Sequence, residues 1–257
     1  MKIAVAGKGG VGKTFIAGTL AAIYARDAQP VIAIDADPSP NLAVTLGLSE
    51  TEAGQIRPIA ENEELIRLKT QTDYPGVFRL TFTVDDVIGK YAVPTPSGAF
   101  LLVMGTVRSV GSGCTCPANT VVKALLRHLI VERREIVILD MEAGIEHLGR
   151  GTAAHVDTML VVTDANRKSL ETARTICKMA EASPIRHVGL VANKVSSPME
   201  GEVVSAFARK NDITILGTVP FDPEVFSAGV TGGTVDEKSS VAMEAIRGLA
   251  HRLVDMS

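Results

Sequence analysis

The residues with the clearest chemistry lie in the run Gly7-Lys8-Gly9-Gly10-Val11-Gly12-Lys13-Thr14. It follows a short apolar strand, 3–6, and opens a helix-compatible stretch, 15–25. Glycines in this setting let the backbone approach an anion closely and turn several N–H groups toward it, while the helix N-terminus adds a favourable dipole. Lys13 is placed to reach terminal phosphates, and Thr14 to offer its hydroxyl to a nucleotide-bound Mg2+. Gly9, Gly10, Val11, Gly12, Lys13 and Thr14 therefore form the expected phosphate cradle. The competing reading, a glycine-rich turn with no ligand, leaves the agreement of strand, spacing and helix unexplained.

Other reactive side chains stand at the ends of apolar runs. Asp140 closes 136–140, where a carboxylate would hold Mg2+ through its water shell, although strand-terminal aspartates also serve as caps and turn formers. Asp35 and Asp37 follow the run 31–34, and Asn193 and Lys194 follow 188–192. Asn193 carries both a donor and an acceptor suited to a base edge; a strand-end turn is the plainer alternative. Cys114 and Cys116 sit one residue apart in a glycine-rich loop, 105–117, and can turn two thiols toward one ion. Two incidental reduced thiols is the other reading. Cys177, between apolar neighbours in a helical stretch, reads as a packed core thiol.

The elements that must position these groups alternate in a regular way. Apolar runs at 3–6, 31–34, 100–104, 136–140, 159–163, 188–192 and 215–219 read as buried strands, separated by helical stretches at 15–25, 119–131, 169–182, 202–210 and 241–254. This is the pattern of an α/β fold, a single doubly wound domain over 1–257 with a mainly parallel sheet and helices on both faces. Residues 51–98 read as an insert, with helical material at 61–69 and an edge strand at 79–84. Such sheets bind ligands beyond the carboxyl ends of their strands, so the scattered candidates can share one rim.

Composition narrows the class. The 257 residues are 46% hydrophobic and 21% charged, as in an ordinary globular protein. A net charge of −3 leaves no basic footprint, so no nucleic-acid partner is expected. No run of about 18 apolar residues suggests a membrane span, and the chain enters its first strand with no targeting signal. A cytoplasmic protein without stable membrane association is the expectation. Three cysteines make no disulfide framework.

Lys8 is the unusual member of the loop, since an ordinary phosphate loop needs only the lysine before the threonine. The signature Lys8-Gly9-Gly10-Val11-Gly12-Lys13-Thr14 resembles the deviant phosphate-loop ATPases, the family of MinD, ParA and the nitrogenase iron protein. The resemblance implies ATP/ADP and Mg2+ as ligands and an ATP-switched homodimer, in which Lys8 reaches the partner's phosphates and acts in catalysis beside Lys13. By the same match, Asp35-Ala36-Asp37-Pro38 looks like the first switch, with Asp37 orienting the attacking water and touching the Mg2+ shell. The second switch looks like 140–144, and the base pocket like Asn193, Lys194, Pro220 and Phe221. Phe15 departs from the pattern, because members usually carry a second hydroxyl residue there.

Cys114-Thr115-Cys116, followed by Asp140-Met141-Glu142-Ala143-Gly144-Ile145-Glu146-His147, looks like the CooC branch. That branch implies an ATPase that assists nickel insertion into carbon monoxide dehydrogenase, or acetyl-CoA synthase for a close relative. Two thiolates are half a tetrahedral site; Cys114 and Cys116 from both chains of a dimer would complete it. Thiolates hold Ni2+, Zn2+ or Cu+ alike, so ligand type does not name the ion. A bridging four-iron cluster, and a MinD- or ParA-like role in cell organisation, are the alternatives that the resemblance leaves open.

Overall fold

The computed structural model describes residues 1–37, 40–70, 84–105, 117–142, 155–231 and 239–257. Its first half runs β1 (Lys2–Gly7), α1 (Lys13–Arg26), β2 (Val31–Ala36), α2 (Leu42–Thr45), α3 (Glu50–Gln55), α4 (Glu63–Thr70), α5 (Val84–Tyr91), β3 (Val93–Pro94) and β4 (Phe100–Val103). The second runs α6 (Pro117–Val131), β5 (Ile136–Met141), β6 (Thr158–Thr163), α7 (Arg167–Glu181), β7 (His187–Val195), α8 (Pro198–Lys210), β8 (Ile215–Pro220), α9 (Pro223–Thr231) and α10 (Val241–Asp255). The strands make one sheet of order β3-β4-β2-β5-β1-β6-β7-β8, parallel throughout except for the β3–β4 pair.

The apolar runs become central strands because successive side chains serve opposite faces, and both faces are covered. Ala4, Ala6, Ile34, Leu139 and Val161 face one core with Leu125 of α6 and Ile176 of α7. Ile3, Val5, Ala33, Ile138 and Leu160 face the other, with Leu20 of α1 and Ile246 and Leu249 of α10. The strand alternation expected from sequence and the doubly wound, mainly parallel architecture are both present. β1 sits in the middle, between β5 and β6, so the loop that leaves it opens at the centre of the rim.

Several elements differ from expectation. The short helices α2, α3, α5 and α9 carry no long apolar period and were not foreseen. The edge strand expected at 79–84 falls on residues outside those described, apart from Val84, which begins α5. Its neighbour Val87 is buried beside Ile59 and Leu65, so this stretch feeds the core through helical spacing rather than strand alternation. On that side the edge strand is β3, where Pro94 can sit because an edge strand needs no donor there. The expected helix at 202–210 starts earlier, since Ser197 caps it by accepting from Glu200 N and Pro198 fits its first turn.

The packing expected of Cys177 is met, and the C-terminal helix packs likewise. Cys177 is buried, and desolvation, with Glu181 nearby, pushes its thiol up to about 12. The C-terminal helix α10 buries Ala242, Met243, Ile246, Leu249, Ala250 and Leu253, and Tyr24 Oη of α1 donates to Ala250 O at 3.0 Å. It is a packing helix. No helix among the described residues is long and apolar enough to cross a membrane.

Asp222 joins the last two helices. Its Oδ1 accepts from Glu224 N at 2.9 Å at the start of α9, and its Oδ2 accepts from Ser240 Oγ at 2.6 Å and Ala242 N at 3.2 Å at the start of α10. Burial alone would raise its pKa, but the Ser240 hydroxyl and the backbone amides hold it below the usual carboxylate range. A depressed folded-state pKa contributes stability above the unfolded pKa, lost as pH falls through the folded value. Asp222→Asn is expected to lose roughly 1–2 kcal/mol at neutral pH. Urea unfolding checks this, and the gap to wild type should narrow as pH falls below about 4.

Candidate functional site

The loop after β1 is held by the end of β7, a contact that only the fold creates. Gly12 adopts a φ of +95°, and a Cβ there would stand 2.3 Å from Asn193 Nδ2. Glycine is thus required twice, for the left-handed backbone and for the close approach. The Asn193 amide donates to Val11 O at 2.7 Å, and Lys194 Nζ donates to Gly10 O at 2.8 Å. Lys194 is itself left-handed, with φ +60°, which turns its side chain out of the strand path. Both residues therefore sit at the site, as braces of the phosphate loop. Pro220 pairs with Val195 across β7–β8, and Phe221 N donates to Val195 O at 2.9 Å, so these two stand beside the brace. The Phe221 ring is exposed, 6.0 Å from that of Phe226.

The carboxylates gather on the other side of the loop. Parallel pairing of β2 with β5 puts Asp35 directly opposite Asp140, and both are fully buried. Asp35 is satisfied: Oδ1 accepts from Asp37 N at 3.2 Å and Oδ2 from Leu42 N at 2.9 Å. Burial raises its pKa, and those amides oppose the rise. Asp140 is different. Neither of its oxygens has a hydrogen-bond partner. Burial pushes its pKa up to about 7, and the nearby Thr14 hydroxyl and Lys13 ammonium pull against this without closing a hydrogen bond. Lys13 is buried, and its Nζ lies 3.7 Å from Asp37 Oδ2.

These residues fit a magnesium–nucleotide complex. Mg2+ is bound through one or two carboxylates together with substrate phosphates and water. An unpartnered buried carboxylate beside a hydroxyl and a lysine offers that donor set, with a second carboxylate, Asp37, at the lysine. The loop's N–H groups and the start of α1 offer the phosphate site. Lys8 is half-buried, and its ammonium has no ion-pair or hydrogen-bond partner among the described residues. Phe15 packs on the α1 core face and lines a cleft of about 480 Å3 between α1, α2 and α9.

Cys114 and Cys116, and most of the second-switch stretch beyond Glu142, lie outside the described residues. Among those described, no group of three or more His, Cys, Asp or Glu gathers as a metal site. Sequence reasoning did not assign a task to Asp35. The Asp-x-Asp spacing held half the signal, because an aspartate can accept from the amide two residues on; the Leu42 contact could not be read locally.

A family model described as the CobQ/CobB/MinD/ParA nucleotide binding domain matches residues 2–235. The carbon monoxide dehydrogenase accessory protein CooC of Rhodospirillum rubrum is 40% identical over 256 residues, covering 99% of this chain and 95% of that protein. An ATP-binding protein of Methanocaldococcus jannaschii is 40% identical over 247 residues, covering 95% and 94%. Among solved structures, a ParA family ATPase from Chlorobium tepidum TLS superposes with a TM-score of 0.71 at 18% identity, over 98% of each chain.

Asn193→Ala would leave a buried Val11 carbonyl without its donor, a loss of roughly 1–3 kcal/mol that falls on the shape of the phosphate loop. ATP and ADP binding, followed by calorimetry, should weaken together by about tenfold or more. A variant that binds both as wild type would show that the brace is dispensable.

Proposed function

Because the chain belongs to the CobQ/CobB/MinD/ParA nucleotide-binding family, and is an ATPase of it, we propose that it is a cytoplasmic accessory ATPase that assists nickel insertion into a carbon monoxide dehydrogenase or acetyl-CoA synthase. The observation that carries the client class is the near-full-length likeness to the Rhodospirillum rubrum accessory protein. The unpartnered buried carboxylate at Asp140 supports the nucleotide half of the reading.

In this reading Gly9, Gly10, Val11, Gly12 and Lys13 bind the phosphates, and Asn193, Lys194, Pro220 and Phe221 flank the base. Thr14, Asp37 and Asp140 would hold the Mg2+, which when bound screens the phosphate charge. Asp37, with its carboxyl 3.7 Å from Lys13, orients the attacking water; positioning suits a carboxylate near a metal better than strong-base chemistry. Lys8 acts across a homodimer. An ammonium with no partner among the described residues is one that a second chain's phosphates can use. Dimer closure then brings Cys114 and Cys116 of both copies together as a four-sulfur site for Ni2+ or Zn2+, the cargo. Hydrolysis opens the dimer, halves the site and releases the ion beside the client, so metal affinity and association are linked.

Two outcomes check this. Lys8→Ala should lower ATP turnover by on the order of 10^3 and weaken nucleotide-dependent association, read by steady-state kinetics and by mass. A titration of wild type should show one tight Ni2+ or Zn2+ per dimer, which a joint Cys114→Ala/Cys116→Ala variant should lose with ATP binding kept. Undiminished metal binding in that variant would remove the cysteine site from the account.

A further inference from the structure

Asp35 and Asp140 stand opposite each other on β2 and β5, equally buried and at the same level of the rim, yet they are used in opposite ways. Asp140 keeps both oxygens without a partner, whereas Asp35 has each oxygen on a backbone amide. Those amides belong to Asp37 and Leu42, the two ends of the segment that leaves the strand. Leu42 begins α2 and is fully buried in the α1 core, so one end of the segment is anchored there. The other end carries the carboxylate that faces Lys13 at 3.7 Å.

We propose that Asp35 is a positioning residue for hydrolysis: its carboxylate ties Asp37 N and Leu42 N to the end of β2 and so sets where the Asp37 carboxylate stands. The inference rests on the assignment of Asp37 to water orientation and concerns a different residue. A carboxylate accepting two backbone amides makes a rigid clip, and a two-residue Asx link orients the residue it bonds. Displacement of a reacting or orienting group by about 1 Å is enough to lower turnover by about 10^2. With Asp37 N and Leu42 N both held by one side chain, that displacement of Asp37 stays small before nucleotide arrives.

The test compares kcat, KM for ATP and the Mg2+ concentration at half-maximal rate in wild type, Asp35→Asn, Asp37→Asn and the double variant. The amide of Asp35→Asn keeps the shape and can accept at one oxygen only, so kcat should fall by about tenfold or more. KM for ATP should stay within about twofold, and the Mg2+ requirement should rise no further than in Asp37→Asn, a pattern that general destabilisation would not give. If Asp35 acts through Asp37, the double variant turns over no more slowly than Asp37→Asn alone. Asp35→Ser, whose shorter hydroxyl keeps the link to Asp37 N more weakly and loses that to Leu42 N, should turn over no faster than Asp35→Asn. Should Asp35→Asn fail to fold, the same comparison is made with Asp35→Ser and Asp35→Ser/Asp37→Asn. Multiplying losses, or a Mg2+ requirement raised further than in Asp37→Asn, would overturn the proposal. Full turnover of Asp35→Asn with an impaired Asp37→Asn overturns it while sparing the Asp37 reading; full turnover of Asp37→Asn overturns both.

Discussion

A carboxylate buried without a hydrogen-bond partner is unfavourable, and Asp140 is such a group at the centre of this fold. Burial, together with the neighbouring carboxylates Asp35 and Asp37, disfavours its charged form, and Thr14 and Lys13 offset only part of this. The sheet places it there through the β2–β5 register, which also sets Asp35 beside it. A cation held with the ligand would relieve such a group, so in the proposed reading stability is given up locally for a site that Mg2+ and nucleotide complete. The rest of the rim can be read as the means of keeping that incomplete site in shape.

Two clips do so from opposite sides. Asn193 and Lys194 fix the phosphate loop through the carbonyls of Val11 and Gly10, which couples the end of β7 to residues 182 and 184 positions away in sequence. Asp35 fixes the departing segment after β2. Between them stand Lys13 and Asp37, whose separation is therefore set by two strands and not by the loop alone. Behind the rim, α1 is buried nearly all round, against the sheet, α2 and α10. A helix clamped in that way transmits little slack to the glycines in front of it.

Much of this was legible in the chain. The apolar runs announced the strands, because a parallel strand covered on both faces must be apolar on both. The glycine loop stands between the first strand and helix as expected, because strand, spacing and helix start are all local. Short elements escaped. α9 has six small or apolar residues in nine but buries none of them, so periodicity carried no signal, and its start is fixed by Asp222, whose other oxygen works on α10. The same limit governed the polar groups. The type of Asn193 says that it can donate and accept; that its donor goes to Val11 O depends on a neighbour 182 residues distant. Asp35 looked like part of a switch because of its spacing, while its bond to Leu42 depends on where α2 docks.

The central claim is that the rim is built around a charge that only a bound metal–nucleotide completes. Differential scanning calorimetry of wild type and Asp140→Asn, each alone, with ATP, and with ATP and Mg2+, tests it most directly. The account predicts that without nucleotide Asp140→Asn melts no lower than wild type, because a buried charge has been removed. It also predicts that Mg2+ adds stability over ATP alone in wild type and none in the variant. An Asp140→Asn protein that melts well below wild type on its own, yet gains as much from Mg2+ and ATP, would contradict it.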